Sequence, residues 1–243
     1  MLKKTTLLIS FLCMNSIFFK TYADPIENEI LKPTESRYEL GLGIVEIERI
    51  VTLDWDHDHY IINATSTVSG LAALVGYGPI IEESQFVISD NGRILPKKYK
   101  SVDESGSSNL NKEIVFDWKL LTAESRFGDQ TLKIKIQPGT LDPLTVVLQA
   151  RLDLKSGLKI EKYLVHEAEM LKEYKISYLE SEKIDVGNHK LDALHLMIDT
   201  GRPSRKLHYW LAPQLDYLPI KMQQSHNNET EFTANLTSTS RSR

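Results

Sequence analysis

The chain has 243 residues, 41 % of them hydrophobic, with 29 Lys and Arg against 33 Asp and Glu and a formal net charge of −4. The charges are interspersed, and no basic patch points to nucleic acid or to anionic lipid headgroups. The single cysteine, Cys13, excludes a disulfide framework and, once the first segment is removed, any thiol nucleophile or thiolate metal site.

That first segment has the layout of a secretory signal peptide. Lys3 and Lys4 precede an apolar run from Leu7 to Phe19, and Thr21-Tyr22-Ala23 places small residues three before and one before a cut ahead of Asp24. The run is shorter than the roughly 20 residues a spanning helix needs. Bulky Phe11 and Leu12 precede Cys13, where lipidation requires small residues. The expected organisation is a signal peptide at 1–23, a flexible leader at 24–36, one β-rich domain at 37–237 and a disordered tail at 238–243. The expected location is the periplasm. No later segment is long and apolar enough to cross a bilayer.

Period-two alternation dominates the domain and argues for strands. Tyr38, Leu40, Leu42 and Ile44 share one parity, and Val45, Ile47, Val51, Leu53 and Trp55 share the next, with a phase slip near Gly43 that suggests a bulge. A polar turn spans Asp54 to Asp58 before Tyr60-Ile61-Ile62. Leu71 to Val75 reads as a short helix, strand or loop. Asp90-Asn91-Gly92 is a hairpin signal, Asp103 to Asn111 a loop, and Phe127-Gly128-Asp129 a turn. Leu132, Ile134 and Ile136 alternate with Lys133, Lys135 and Gln137, which predicts one buried and one wet face. A helix is predicted from Asp142 to Ser156: Asp142 caps it, Pro143 suits its first turn, and Gly157 stops it. Strands follow around Tyr163–Val165, Tyr174–Tyr178 and Leu207–Leu211, with breaks at Val186-Gly187-Asn188 and at 200–204. The fold class is mainly β: a large curved antiparallel sheet or partly closed barrel of about ten strands, with one packed helix.

The most metal-like cluster is Asp54-Trp55-Asp56-His57-Asp58-His59. On a strand His57 and His59 share a face, and imidazole with carboxylate suits zinc, copper or nickel. The competing reading is a solvated turn, where Asp and His collect anyway. No serine sits in a G-x-S-x-G elbow, there is no P-loop, and Gly41-Leu42-Gly43 lacks the spacing of a dinucleotide fingerprint. Paired acids such as Glu82-Glu83 carry no further signal. The residues therefore assign no catalytic group, no metal ligand and no cofactor.

Several stretches, in order, carry a family resemblance. They are Tyr38-Glu39-Leu40, the run from Gly92 to Tyr99, Phe116-Asp117-Trp118, Asp142-Pro143-Leu144-Thr145, and Tyr209-Trp210-Leu211-Ala212-Pro213 leading to Leu215-Asp216-Tyr217-Leu218-Pro219-Ile220-Lys221. Together they resemble the bacterial family called domain of unknown function 3108. Gln214 stands where an acid is expected. The resemblance implies a largely β, exported Gram-negative protein and transfers no catalytic residue. The expected role is non-enzymatic, with a hydrophobic or lipid-like envelope ligand held against the sheet. The alternatives are an envelope interaction or scaffold module, and a metal-dependent hydrolase built on Asp56, His57 and His59.

Overall fold

The computed structural model describes residues 31–42, 45–69, 78–104, 111–227 and 229–240. The signal segment, the slip near Gly43 and the segment at 71–75 lie outside the described residues. Among the described residues sixteen strands carry the fold, more than the expected ten or so. The first eight are β1 (Thr34–Leu42), β2 (Val45–Asp56), β3 (His59–Ser69), β4 (Ile80–Ile88), β5 (Ile94–Asp103), β6 (Lys112–Asp117), β7 (Thr122–Phe127) and β8 (Gln130–Lys135). A short β9 (Thr140–Leu141) leads into helix α1 (Thr145–Lys155). After it come β10 (Lys162–His166), β11 (Leu171–Tyr178), β12 (Glu182–Val186), β13 (His189–Asp199), β14 (Arg205–Ala212), β15 (Leu218–His226) and β16 (Glu229–Thr239). The count exceeds ten partly because some reversals use no glycine. Between β6 and β7, Asp117 Oδ1 accepts the Lys119 and Leu120 N–H groups at 3.0 and 2.9 Å, and Leu121 takes φ 51°.

The strands form one curved sheet in the order β8-β7-β6-β5-β4-β3-β2-β1-β16-β15-β14-β13-β11-β10-β9. Among the described residues every pairing is antiparallel except β9 with β10. Among the described residues the sheet does not close: β8 and β9 are the two ends of that order, and β12 lies off it, paired with β13. Strands β8 and β9 are consecutive in the chain, with residues 136–139 between them. Its middle joins the two ends of the sequence, since β1 pairs with β16 as well as with β2. β1 begins at Thr34 and β16 runs to Thr239, so Ser36 faces Thr239 across that pairing.

β13 serves two layers. Its first half, to Ala193, pairs with β12, and its second half, from Leu194, pairs with β14. Ile184, Val186 and Leu191 of this hairpin pack against a cluster that includes Trp210, Ala212, Ile220 and Leu236. Burial of large apolar side chains of this kind contributes roughly 1.5–3 kcal/mol each.

Helix α1 lies against the concave side. Asp142 Oδ1 accepts the Leu144 and Thr145 N–H groups, both at 2.9 Å, and so caps the first turn. Gly157, at φ 75°, donates its N–H to Leu154 O and ends the last one, a conformation that favours glycine. Burial is not confined to one apolar face, since Gln149 and Asp153 are buried beside Leu148 and Leu152. These polar groups anchor the helix. Gln149 accepts the Ile94 N–H at 2.7 Å. Asp153 accepts Arg93 through both oxygens, at 3.0 and 2.9 Å, and the Tyr163 hydroxyl at 2.8 Å.

Candidate functional site

The sequence singled out the β2–β3 turn. β2 continues through Asp56, leaving only His57 and Asp58 between the strands, with His57 at φ 53°. His57 bonds its neighbour Asp56, and His59 bonds Asp58 at 2.7 Å. Asp58 also pairs with Lys97 at 3.3 Å, and its carboxyl lies below the usual range because His59 and then Lys97 bond the charged form. Each histidine is thus turned to an adjacent aspartate. Among the described residues no group of three His, Cys, Asp or Glu is placed to hold a metal ion.

The more elaborate arrangement is on the concave side. A cavity of about 120 Å³ lies between α1 and strands β1, β2, β3, β14 and β15, walled by Tyr38, Val51, Leu53, Ile62, Val147, Leu148 and Met222 among others. The Tyr38 hydroxyl is tied to Pro219 O at 2.9 Å, and burial pushes it up to about 12, so it remains a neutral donor. Arg49, Pro143, Leu144, Tyr209 and Met222 line both this chamber and a second cavity of about 340 Å³. The second shares Glu82, Pro143, Leu207 and Gln224 with a third, of about 240 Å³, whose walls include Lys112, Glu167, Thr200, Arg202 and Arg205. The three follow one another along the inside of the sheet, from an apolar end under the helix to a charged end. Pro143, just before α1, borders all of them.

At the middle of the series Arg49 donates to Glu82 at 2.8 Å and to Ser66 at 2.8 Å, and the Tyr99 hydroxyl donates to the other Glu82 oxygen at 2.9 Å. Burial works against the Arg49 charge, but Glu82 outweighs it and holds the guanidinium above its ordinary value. Burial, then Glu82, raises Tyr99. Asp142 faces the same interior from the helix start: Ser84 Oγ donates to it at 2.5 Å, and among the described residues no cation bonds it. Burial pushes its carboxyl up to about 6, against the pull of Ser84, Thr145 and Leu144.

At the charged end Glu167 receives Lys172 at 2.8 Å, Arg202 at 3.0 Å and the Tyr174 hydroxyl. Burial raises its carboxyl, but these donors prevail and hold it below the usual range. The preceding His166 is fully buried, with Nδ1 accepting the Ala168 N–H at 3.0 Å. Burial depresses it to about 4, so it is neutral.

One further arrangement has the types, though not the geometry, of a hydrolytic relay. His208 lies 3.5 Å from Ser225 Oγ and 3.0 Å from His195, whose other nitrogen is 3.8 Å from Glu182. Ser225 is buried, His195 stacks on Trp210 at 4.2 Å, and none of the four residues lines the cavities above. Lying outside those cavities, this set reads as packing.

Sequence reasoning did not gather Arg49, Glu82, Tyr99, Thr200 and Arg202 into one site. One signal was present. Arg49 interrupts the apolar parity Val45-Ile47-Val51-Leu53, as a charge turned toward the inside of a sheet does.

The family model described as "Protein of unknown function (DUF3108)" matches residues 37–237. The chain belongs to that family. No curated protein matches this DUF3108 chain. A crystal structure of a β-barrel-like protein of domain of unknown function DUF1849, from Brucella abortus, is similar in fold. Its TM-score is 0.55 at 12 % identity, over 86 % of this chain and 97 % of that one. At that identity the likeness is one of architecture alone.

Proposed function

We propose that this DUF3108 chain is an exported periplasmic binding protein that holds a hydrophobic ligand on the concave side of its sheet. The observation that carries the reading is the chamber under α1. Side chains of Val51, Leu53, Ile62, Val147, Leu148 and Met222 wall about 120 Å³ without filling it, and it continues into larger cavities. Protein interiors are ordinarily close-packed, and small-molecule sites are concave, mostly apolar and edged by a few polar groups. The secretory layout of residues 1–23 supports the location. Among the described residues no helix is long and apolar enough to cross a membrane.

Native mass spectrometry and solvent extraction of protein purified from its own envelope test the reading. A co-purifying apolar molecule is the expected result, and protein that emerges ligand-free and binds no hydrophobic probe sinks it. Val147→Phe directs a ring into the chamber. It is expected to weaken binding of a neutral probe such as decanol about tenfold, read by calorimetry, while leaving the fold intact by circular dichroism.

A further inference from the structure

The charged end of the cavity series contains a hydroxyl that no group among the described residues bonds. Thr200 is only 4 % exposed, lines the 240 Å³ cavity, and its Oγ1 has no hydrogen-bond partner among the described residues. A buried hydroxyl without a partner costs about 1–3 kcal/mol, so one that faces a cavity is a place for a ligand atom or a bound water.

Its surroundings select the sign of that ligand. β13 and β14 are joined by a tight reversal in which Asp199 Oδ1 accepts the Gly201 N–H at 2.9 Å and Arg202 O accepts the Arg205 N–H at 3.3 Å. This reversal sets Thr200, Arg202 and Arg205 on the wall of one cavity, and Lys112 of β6 joins them. The two acids of that wall are already matched: Glu82 by Arg49, and Glu167 by Lys172 and Tyr174 in addition to Arg202. Arg205 reaches Glu231 only at 3.8 Å, and Lys112 lies over the Phe127 ring, 5.2 Å from its centroid. The Arg202 and Arg205 side chains are 45 % and 35 % exposed, so their forks stand at the mouth of the cavity. Planar guanidinium groups beside an unspent hydroxyl suit a carboxylate or phosphate. No basic run marks these residues in the sequence. The fold collects them from positions 112 to 205.

Resting on the reading that the interior takes a hydrophobic ligand, we propose that the ligand is an anionic amphiphile. Its carboxylate or phosphate head is received by Thr200, Arg202, Arg205 and Lys112, and its hydrocarbon chain runs through the middle cavity toward the chamber under α1.

Calorimetric titration of the full mature protein with probes of equal chain length tests this. The probes are decanoate, decyl phosphate and neutral decanol, with inorganic phosphate alone as a fourth. The anionic probes are expected to bind about tenfold tighter than decanol at low salt, with the advantage shrinking as salt rises. Thr200→Val, which keeps the side-chain shape, is expected to cut anionic binding several-fold and leave decanol unchanged. Arg202→Gln with Arg205→Gln is expected to abolish the difference between probes. Glu167 keeps Lys172 and Tyr174 in that variant. Decanol binding as tightly as decanoate and decyl phosphate overturns the head-group assignment and leaves the hydrophobic-ligand reading standing. Inorganic phosphate binding as tightly as decyl phosphate also overturns the assignment, because the chain then adds nothing. Failure of all probes overturns both. Between the two supporting arms, the tighter of decanoate and decyl phosphate identifies the head.

Discussion

Strands β2 and β3 carry charged side chains at two places, their turn and their middle, and the two places behave in opposite ways. At the turn, charges crowd along the chain, and each histidine bonds the aspartate beside it while the His57 side chain stays 93 % exposed. At the middle, Arg49 is a lone charge in an apolar parity. It meets Glu82 from β4 and Ser66 from β3, with side-chain exposure of 22 % for itself and 18 % for Glu82. Charge density along a sequence is cheap in water, where neighbours are screened and solvated. Charges brought together across strands inside a sheet must be mutually satisfied, and that requirement organises the wall of the cavities.

The largest effect expected from breaking this contrast is at Arg49. Arg49→Met strands Glu82 inside the sheet and should lower stability by about 2–3 kcal/mol in urea unfolding. Adding Glu82→Met should recover most of that loss; no recovery would show that Arg49 acts by packing alone. Next is Asp142, an interior acid bonded by Ser84 and by the start of the helix. Asp142→Ala removes the helix cap and should cost about 1–2 kcal/mol, whereas Asp142→Asn keeps an acceptor oxygen for Leu144 and Thr145. The pH dependence separates charge from cap. The folded carboxyl titrates near about 6 and the ordinary value is 3.8, so between them the folded chain holds a proton that the unfolded chain releases. That stabilisation is fully present below the ordinary value and is lost as pH rises through about 6. Acidification from pH 7 to 5 should therefore stabilise the wild-type protein relative to Asp142→Asn, by about 1 kcal/mol. Parallel pH profiles for the two would show that Asp142 does not titrate in this window. The smallest effect belongs to the turn: His57→Ala with His59→Ala should leave the urea midpoint and the zinc content of the purified protein unchanged.

Local features of the fold were legible because their causes are local. Alternation marked the strands, Asp142 and Gly157 marked the helix to within three residues at its start and one at its end, and Asp90-Asn91-Gly92 marked the β4–β5 turn. The strand number was not, because turns such as the one after Asp117 rely on side-chain capping without glycine. The burial of Gln149 and Asp153 was not legible either, since their partners Ile94, Arg93 and Tyr163 arrive from segments on both sides of the helix in sequence. The cavity wall was illegible for the same reason. Arg49 meets Glu82 across the intervening β3, Thr200 and Arg202 join Glu82 around one cavity from far along the chain, and an unfilled volume has no residue code. Conversely, the Asp56–His59 run was conspicuous because its residues are adjacent, and adjacency along a turn gathers few donors around one point.

The pairing of β1 with β16 has a consequence for how the molecule comes into being. Tyr38 of β1 and Met222 of β15 wall the same chamber, and β16 lies between their strands. Ser36 meets Thr239 across a sequence separation of 203 residues. A fragment that stops before β16 lacks the strand that sets β1 beside β15 across that chamber. Zipping the first strand to the last is a high-separation event that makes such topologies slow to fold. The chamber's two sides, Tyr38 on β1 and Met222 on β15, are therefore held together through β16.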